Sequence, residues 1–323
     1  MAVYTEVSFA EAAALVERLG IGEFTALTGV QSGIENTNYF VDTTRGRYVL
    51  TLFERLTHAQ LPFYLQLMKH LAERGIPVPG PQADASGAIL HTLLGKPAAV
   101  VDRLPGRHQL APAASHCASV GNVLARLHLA GADFAMHQPN LRGAAWWAET
   151  VPVVRPFLTP EQRELIESEL AFALQVAASN AHASLPRGAI HADLFRDNVM
   201  FDASPSGDVL TGLFDFYFAG VDSYLFDIAV CLNDWCIDLE SGRLVDERAS
   251  AFVAAYDAVR PLTGAELRLM PALMRSAALR FWISRLWDLH LPRDASLLTA
   301  HDPSHFERVL RERVAAPWHH ARL

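Results

Sequence analysis

The sequence predicts an α+β fold in two lobes, a small strand-rich one followed by a larger, mainly helical one. Three observations carry that expectation. The chain has 323 residues, more than one ordinary core accommodates. Short apolar runs separated by Gly, Pro and Asn crowd the N-terminal third, whereas helical periodicity dominates the remaining two thirds. Pro105-Gly106 interrupts the pattern between the two regimes and marks the boundary, giving lobes of 1–104 and 105–323.

Taken in order, Ser8 caps a helix that runs to Leu19, and Glu11 completes a capping box. Thr25–Val30 and Thr37–Asp42 read as strands around the loop Gly29-Val-Gln-Ser-Gly-Ile-Glu-Asn36, and Arg47–Phe53 reads as a third. Leu61–Arg74 has helical periodicity and stops at Gly75, before the extended Ile76-Pro-Val-Pro-Gly-Pro81. His91–Leu94 and Ala98–Leu104 form a hairpin with Gly95-Lys96-Pro97 at its tip. Beyond the boundary, helices are predicted over Ala113–Ala130, Thr159–Ser179, Asp227–Asp238, Arg248–Val259, Gly264–His290 (in one or two pieces) and His305–Ala315. Thr159 is the cap of the second, with Pro160 at its first helical position. Val199–Asp202 and Val209–Phe214 flank the turn cluster Ala203–Gly207 and make a hairpin inside the helical lobe.

Hydrophobic residues make up 51% and charged residues 19%, the balance of a well-packed globular protein. A net charge of −8 argues against general affinity for nucleic acid or an anionic membrane. No apolar run reaches the length of a membrane span, and the N-terminus lacks a basic stretch followed by an apolar core. Cys117, Cys231 and Cys236 sit in apolar or helical surroundings and read as reduced core thiols of a cytoplasmic protein.

The chemistry is concentrated in two segments. Residues 190–198 read Ile-His-Ala-Asp-Leu-Phe-Arg-Asp-Asn, and residues 213–217 read Leu-Phe-Asp-Phe-Tyr. A hairpin brings its open ends together, so Asn198 and Asp215 come side by side, with Asp193 one loop upstream. Two oxygen ligands converging beside a third carboxylate suit a hard cation such as Mg²⁺.

These segments do not stand alone. Together with Gly33-Ile-Glu-Asn-Thr-Asn-Tyr-Phe-Val41, Tyr48–Glu54, Asp227–Cys236 and Arg280–Asp288 they are spread over almost the whole chain. They resemble the protein-kinase-like, bilobal fold of the aminoglycoside phosphotransferases and choline kinases, and more narrowly the homoserine kinases of that superfamily. The resemblance implies transfer of the ATP γ-phosphate to the hydroxyl of L-homoserine, a step towards threonine, with ATP and Mg²⁺ as cofactors. It implies Asp193 as catalytic base, His191 as a brace of its loop, and Asn198 and Asp215 as metal ligands. The loop with Ser32, Gly33, Asn36 and Asn38 would cover the ATP phosphates, Gly33 allowing close backbone approach. The backbone of Val101, Asp102 and Arg103 would receive adenine.

One departure is instructive. The strand lysine of kinases is replaced by Thr51, and its glutamate partner falls near Tyr64. Losing both together is coherent, because losing one would strand a charge. Arg47, Arg55 and Lys69 are candidate stand-ins at the phosphates.

A zwitterionic acceptor wants an acid for its ammonium and an arginine fork for its carboxylate. Asp234, Arg280 and Arg285 supply both kinds, and Tyr217 borders the metal loop. Arg280 and Arg285 are five apart, so they project differently from a helix and one of them is expected to face the acceptor. Two other readings stay open. One is a kinase for another acceptor: an aminoglycoside would need several acids, and choline an aromatic box. The other is an ATP-binding regulatory module without transfer activity, motivated by the absent lysine and glutamate.

Overall fold

Residues 5–30, 36–205, 207–291 and 301–320 are described in a computed structural model. They group into two units. One holds the described residues up to Pro105 together with Gly212–Phe214; the other holds Gly106–Thr211 and the described residues from Asp215 onward.

In the first unit, helix α1 (Phe9–Leu19) starts at a reciprocal cap: the Ser8 hydroxyl accepts from the Glu11 amide, and the Glu11 carboxylate accepts from the Ser8 amide at 2.8 Å. Its buried Ala12, Leu15, Val16 and Leu19 join Tyr39, Val41, Leu50 and Val100 in one apolar cluster. Those partners come from a five-stranded antiparallel sheet of β1 (Phe24–Gly29), β2 (Thr37–Thr43), β3 (Arg47–Leu52), β4 (His91–Leu93) and β5 (Lys96–Asp102), in the order β1-β2-β3-β5-β4. Helix α2 (Leu61–Glu73) connects β3 to β4 and buries Leu61, Leu65, Leu67 and Leu71. The hairpin tip differs from expectation. Leu94 and Gly95 both take positive φ, 53° and 76°, the pair of left-handed residues that matches strand twist in a two-residue turn. Lys96 and Pro97 are therefore strand residues of β5, not turn residues.

The second unit opens with β6 (Arg107–His108), followed by helices α3 (Ala114–Ala130), α4 (Ala144–Val154), α5 (Pro160–Ala177) and the single turn α6 (Asn180–Ala183). Then come β7 (Arg187–Ile190), β8 (Val199–Ser204), β9 (Gly207–Leu213) and β10 (Gly220–Ser223). Helices α7 (Tyr224–Trp235), α8 (Asp246–Val259), α9 (Gly264–His290) and α10 (Ser304–Ala315) complete it. β8 lies between β6 and β9, and β7 pairs with β10. Helix α7 begins at Tyr224, three residues before the sequence suggested; every one of its residues is buried, so it shows no polar face by which to locate its ends. Helix α9 is one piece despite Pro271, which stands in its first turns and removes a single backbone donor. At 27 residues it spans about 40 Å. Helices α3 and α8 meet at Gly121, where an added Cβ would lie 2.2 Å from the carbonyl oxygen of Phe252. No helix among the described residues is long and apolar enough to cross a membrane. All three cysteines are free and buried.

Candidate active site

Strand pairing brings the two chemical segments together. In the antiparallel β7–β10 ladder Ile190 lies opposite Gly220, so the residues leaving β7 run beside those entering β10. The first set is the loop 191–198 and the second is 214–219. The buried Phe216 ring sits 4.5 Å from the His191 ring and ties the two. Each loop also carries a non-glycine residue in the left-handed region: Ala192 at φ 63° and Asp215 at φ 67°. Such residues cost about 1–3 kcal/mol each and persist only where their surroundings hold them.

For Ala192 the holding group is Asp227 on α7. Its two carboxylate oxygens accept the amides of His191 and Ala192, each at 2.8 Å. The carboxyl is kept below the ordinary range despite the cost of burial, because His128 and the loop amides favour its ionised form. Further along, Phe195 and Asn198 close the loop: the Phe195 amide donates to the Asp193 carbonyl at 2.8 Å, and the Asn198 amide to the Phe195 carbonyl at 2.9 Å.

Asp193 lies next to this frame. Burial pushes its carboxyl well up, Asp215 and Asp197 push the same way, and Arg280 and Arg285 oppose them. Arg280 Nη1 is 3.7 Å from Asp193 Oδ1. Arg280 is 2% exposed, and its Nε and Nη2 have no hydrogen-bond partner among the described residues. Its guanidinium lies over the rings of Phe281 at 3.7 Å and Phe218 at 5.1 Å. Burial draws its pKa down to about 10, against the pull of Asp193 and with help from nearby Arg142. Arg142 stands over the same Phe218 ring at 5.9 Å and over Trp146 at 4.4 Å. Arg285 sits over Phe306 at 5.1 Å, in the field of Asp193, Asp234 and Asp197. Of the two arginines, Arg280 is therefore the one that reaches Asp193.

Asn198 Nδ2 donates to the Asp193 carbonyl at 2.9 Å, which leaves the amide oxygen as its acceptor. Among the described residues no three acidic, imidazole or thiol groups form a cage that would hold a metal by themselves. Tyr217 is half-buried; burial and Asp215 raise its phenol above the ordinary value. Asp234 is occupied elsewhere. Its Oδ2 accepts the Arg196 amide at 2.8 Å and Arg196 Nε at 3.2 Å, an arrangement that braces the loop and leaves this oxygen unavailable to an incoming ammonium.

In the strand-rich unit, Ser32 and Gly33 lie outside the described residues. Asn36 and Asn38 are neighbours at the start of β2, and Asn38 Oδ1 accepts the Thr51 hydroxyl at 2.7 Å. Lys96 and Glu54 form an ion pair in this unit, and Thr37 and Thr5 donate to the same carboxylate at 2.6 and 2.7 Å. At the end of β5 the backbone donors are committed: the Asp102 amide to Gly80 at 3.2 Å and the Arg103 amide to Arg47 at 3.0 Å. The Asp102 side chain accepts from Gln82 at 2.9 Å, and Arg103 stacks on Phe40 at 3.8 Å. Of Val101, Asp102 and Arg103, the last two thus have no amide to spare for a purine.

The phosphotransferase enzyme family matches residues 26–262. A homoserine kinase of Polaromonas naphthalenivorans (strain CJ2) is 67% identical over 318 residues, 98% of this chain and 99% of that one. The chain belongs to the homoserine kinases of the phosphotransferase enzyme family. A second homoserine kinase, from Ralstonia nicotianae (strain ATCC BAA-1114 / GMI1000), is 56% identical over 322 residues, 98% of this chain and 96% of that one. Amicoumacin kinase hAmiN, solved in complex with AMP-PNP, Ca²⁺ and Ami, superposes with a TM-score of 0.68 at 16% identity, covering 94% and 93% of the two chains. The protein-kinase-like fold expected from the sequence is thus the fold observed. In this homoserine kinase family member, sequence reasoning missed Arg142 and Phe218 near Arg280, Arg196 on Asp234, and His128 and Tyr256 behind Asp227. Arg196 lies inside the 190–198 motif itself, where the flanking acids and asparagine carry the recognisable pattern.

Proposed function

We propose that this chain transfers the γ-phosphate of ATP to the side-chain hydroxyl of L-homoserine, giving O-phospho-L-homoserine. The observation that carries this reading is Arg280: a buried guanidinium 3.7 Å from Asp193 with two nitrogens unpartnered among the described residues. Buried donors without acceptors are costly. A fork of donors beside a hydroxyl-activating base suits the carboxylate of a short hydroxy amino acid. The names of the relatives point to the same acceptor.

In this reading Asp193 orients the hydroxyl and takes its proton as the oxygen meets phosphorus. Burial beside Asp215 makes it a better proton acceptor than a free carboxylate, and Arg280 opposes that shift by favouring the ionised form. The transition state is loose, so alignment supplies most of the gain. Arg280 takes the acceptor carboxylate, Phe218 supports that guanidinium, Arg285 adds positive field, and Tyr217 borders the acceptor. Mg²⁺ would be held by the Asn198 amide oxygen and Asp215, and when bound it neutralises phosphate charge. The residues fit: carboxylates crowd Asp193 enough to oppose its ionisation, which a cation relieves. A partial set of protein ligands is what Mg²⁺ takes when phosphates and water complete its shell. The strand-rich unit supplies nucleotide contacts from Ser32, Gly33, Asn36, Asn38 and the 101–103 segment, in the last case through groups other than the committed amides. His191 braces the catalytic loop.

The test is ADP release measured with homoserine, serine, threonine, choline and kanamycin side by side. Homoserine should give the highest kcat/KM. Faster turnover of choline or kanamycin would replace the acceptor assignment, and no acceptor-dependent ADP would favour a non-catalytic nucleotide-binding module.

A further inference from the structure

The cluster anchored by Asp227 extends through groups that the proposed chemistry does not use. Besides the His191 amide, Asp227 Oδ2 meets His128 Nε2 at 3.0 Å. The other ring nitrogen, Nδ1, is 2.6 Å from the Tyr256 hydroxyl. Arg260 Nη1 donates to that hydroxyl at 3.2 Å and to Glu266 Oε1 at 2.9 Å. Glu266 is itself fixed, its other oxygen accepting the Thr263 amide at 2.8 Å and the Thr263 hydroxyl at 2.9 Å, the cap of α9. The His128 ring stacks on Tyr224 at 4.4 Å, and the Arg260 guanidinium lies over that same ring at 4.7 Å. His128, Asp227, Tyr256 and Glu266 are fully buried.

With His128 neutral, donor and acceptor roles along this line have one consistent assignment. A guanidinium only donates, so the Tyr256 oxygen accepts from Arg260. The hydroxyl proton of Tyr256 remains free to point at His128 Nδ1, 2.6 Å away. A neutral imidazole that accepts at Nδ1 carries its proton on Nε2, and Nε2 faces Asp227. Burial, reinforced by Arg260, keeps the imidazole neutral against the pull of Asp227. We propose that Arg260, acting through Tyr256, fixes His128 as its Nε2–H tautomer, and that this proton orients Asp227 so that its clamp on His191 and Ala192 sets Asp193 for transfer. Arg260, Tyr256 and His128 are positioning residues. With the opposite tautomer a nitrogen lone pair would face the Asp227 carboxylate. The repulsion would loosen the two amide bonds that hold Ala192 in its left-handed conformation, one residue before the base.

The test combines spectroscopy and kinetics on the full-length enzyme. Histidine is labelled with ¹⁵N, and the His128 signals, among 14 histidines, are assigned by their loss in His128→Gln. In the wild type, His128 should show a protonated Nε2 and an unprotonated Nδ1. In Tyr256→Phe the tautomers should mix, and kcat should fall by up to about 100-fold, the scale of a small misplacement of a reacting group. KM for ATP and homoserine should stay within about twofold, because no group that meets either is changed. Arg260→Met should act in the same direction, and Arg260→Lys, which keeps a charged donor, should recover part of the loss. A wild-type His128 protonated on Nδ1 or on both nitrogens would overturn the proposal, and that measurement requires no variant to fold. So would a Tyr256→Phe enzyme that is less stable but keeps its kcat and its tautomer. The kinetic arm rests on the kinase reading above. The spectroscopic arm does not, so an enzyme without kinase activity and an enzyme with the wrong tautomer are separate outcomes.

Discussion

Two groups of buried polar side chains flank the same loop, 191–198, and they are built on opposite rules. Around Asp227, His128, Tyr256, Arg260 and Glu266 the buried donors and acceptors are matched, from the loop amides to the cap of α9. Around Arg280 they are not: its Nε and Nη2, together with Arg285 Nε, point at no acceptor among the described residues. A matched buried network is rigid and defines a single arrangement. An unmatched buried cation is tolerated where something else completes it. The first group reads as scaffold and the second as receptor, and mutation should separate them by moving stability in one case and KM for the acceptor in the other.

The largest effect is expected where both meet. Asp193→Ala should lower kcat by at least about 1,000-fold, while nucleotide binding, followed by calorimetry, stays near wild type. Near-normal turnover in that variant would remove Asp193 from the role of base. On the scaffold side, Asp227→Ala strands the amides of His191 and Ala192 and the His128 ring, at about 1–3 kcal/mol for each donor left unmet. A large drop in the urea midpoint should accompany loss of activity; unchanged stability would contradict the scaffold reading. On the receptor side, Arg280→Met should do the reverse. KM for homoserine should rise by about 100-fold, the loss of a charge-assisted fork, while stability stays level or improves, because a buried cation is exchanged for an apolar chain. Should Arg280→Met unfold the protein instead, the contrast between the two groups would collapse.

The smallest effect concerns acidity. Burial lowers the pKa of His128 and of His91 below the ordinary histidine value. Both stay neutral in the fold at pH values where the unfolded chain has begun to take up protons. The unfolded state then binds more protons, so stability is complete above about pH 6.5 and is lost as the pH falls below it. Urea midpoints measured from about pH 7.5 down to 5.5 should fall, and less steeply in His128→Asn.

How legible each region was depends on chain distance. Asp193, Asn198 and Asp215 stand in two short segments joined by a hairpin, so local turn chemistry was enough to place them near one another. Arg280 and Arg285 were recognisable as charges among the aromatic residues of the 280–288 segment, but only the packing of α9 showed that Arg280 reaches Asp193. Asp234 illustrates the converse: its charge was visible, and its engagement by Arg196 was not. His128 and Tyr256 lie on separate helices and carry the same apolar surroundings as any core residue, so nothing local distinguishes them. Helix α4 escaped because Pro152 sits inside it, and the tip of the β4–β5 hairpin shifted because Leu94 accepts a conformation that β-turn rules reserve for Gly, Asn or Asp.

Gly121 gives the scaffold its gauge. Its missing side chain lets α3 rest directly on the backbone of α8 at Phe252. Two turns further along the first helix is His128, and one turn further along the second is Tyr256. Even a methyl group at position 121 would act as a wedge between these helices, and the slack would appear at the contact between imidazole and phenol. A change so remote from any reacting atom would then register as a slower enzyme, with the spacing of two helices felt as the aim of a carboxylate.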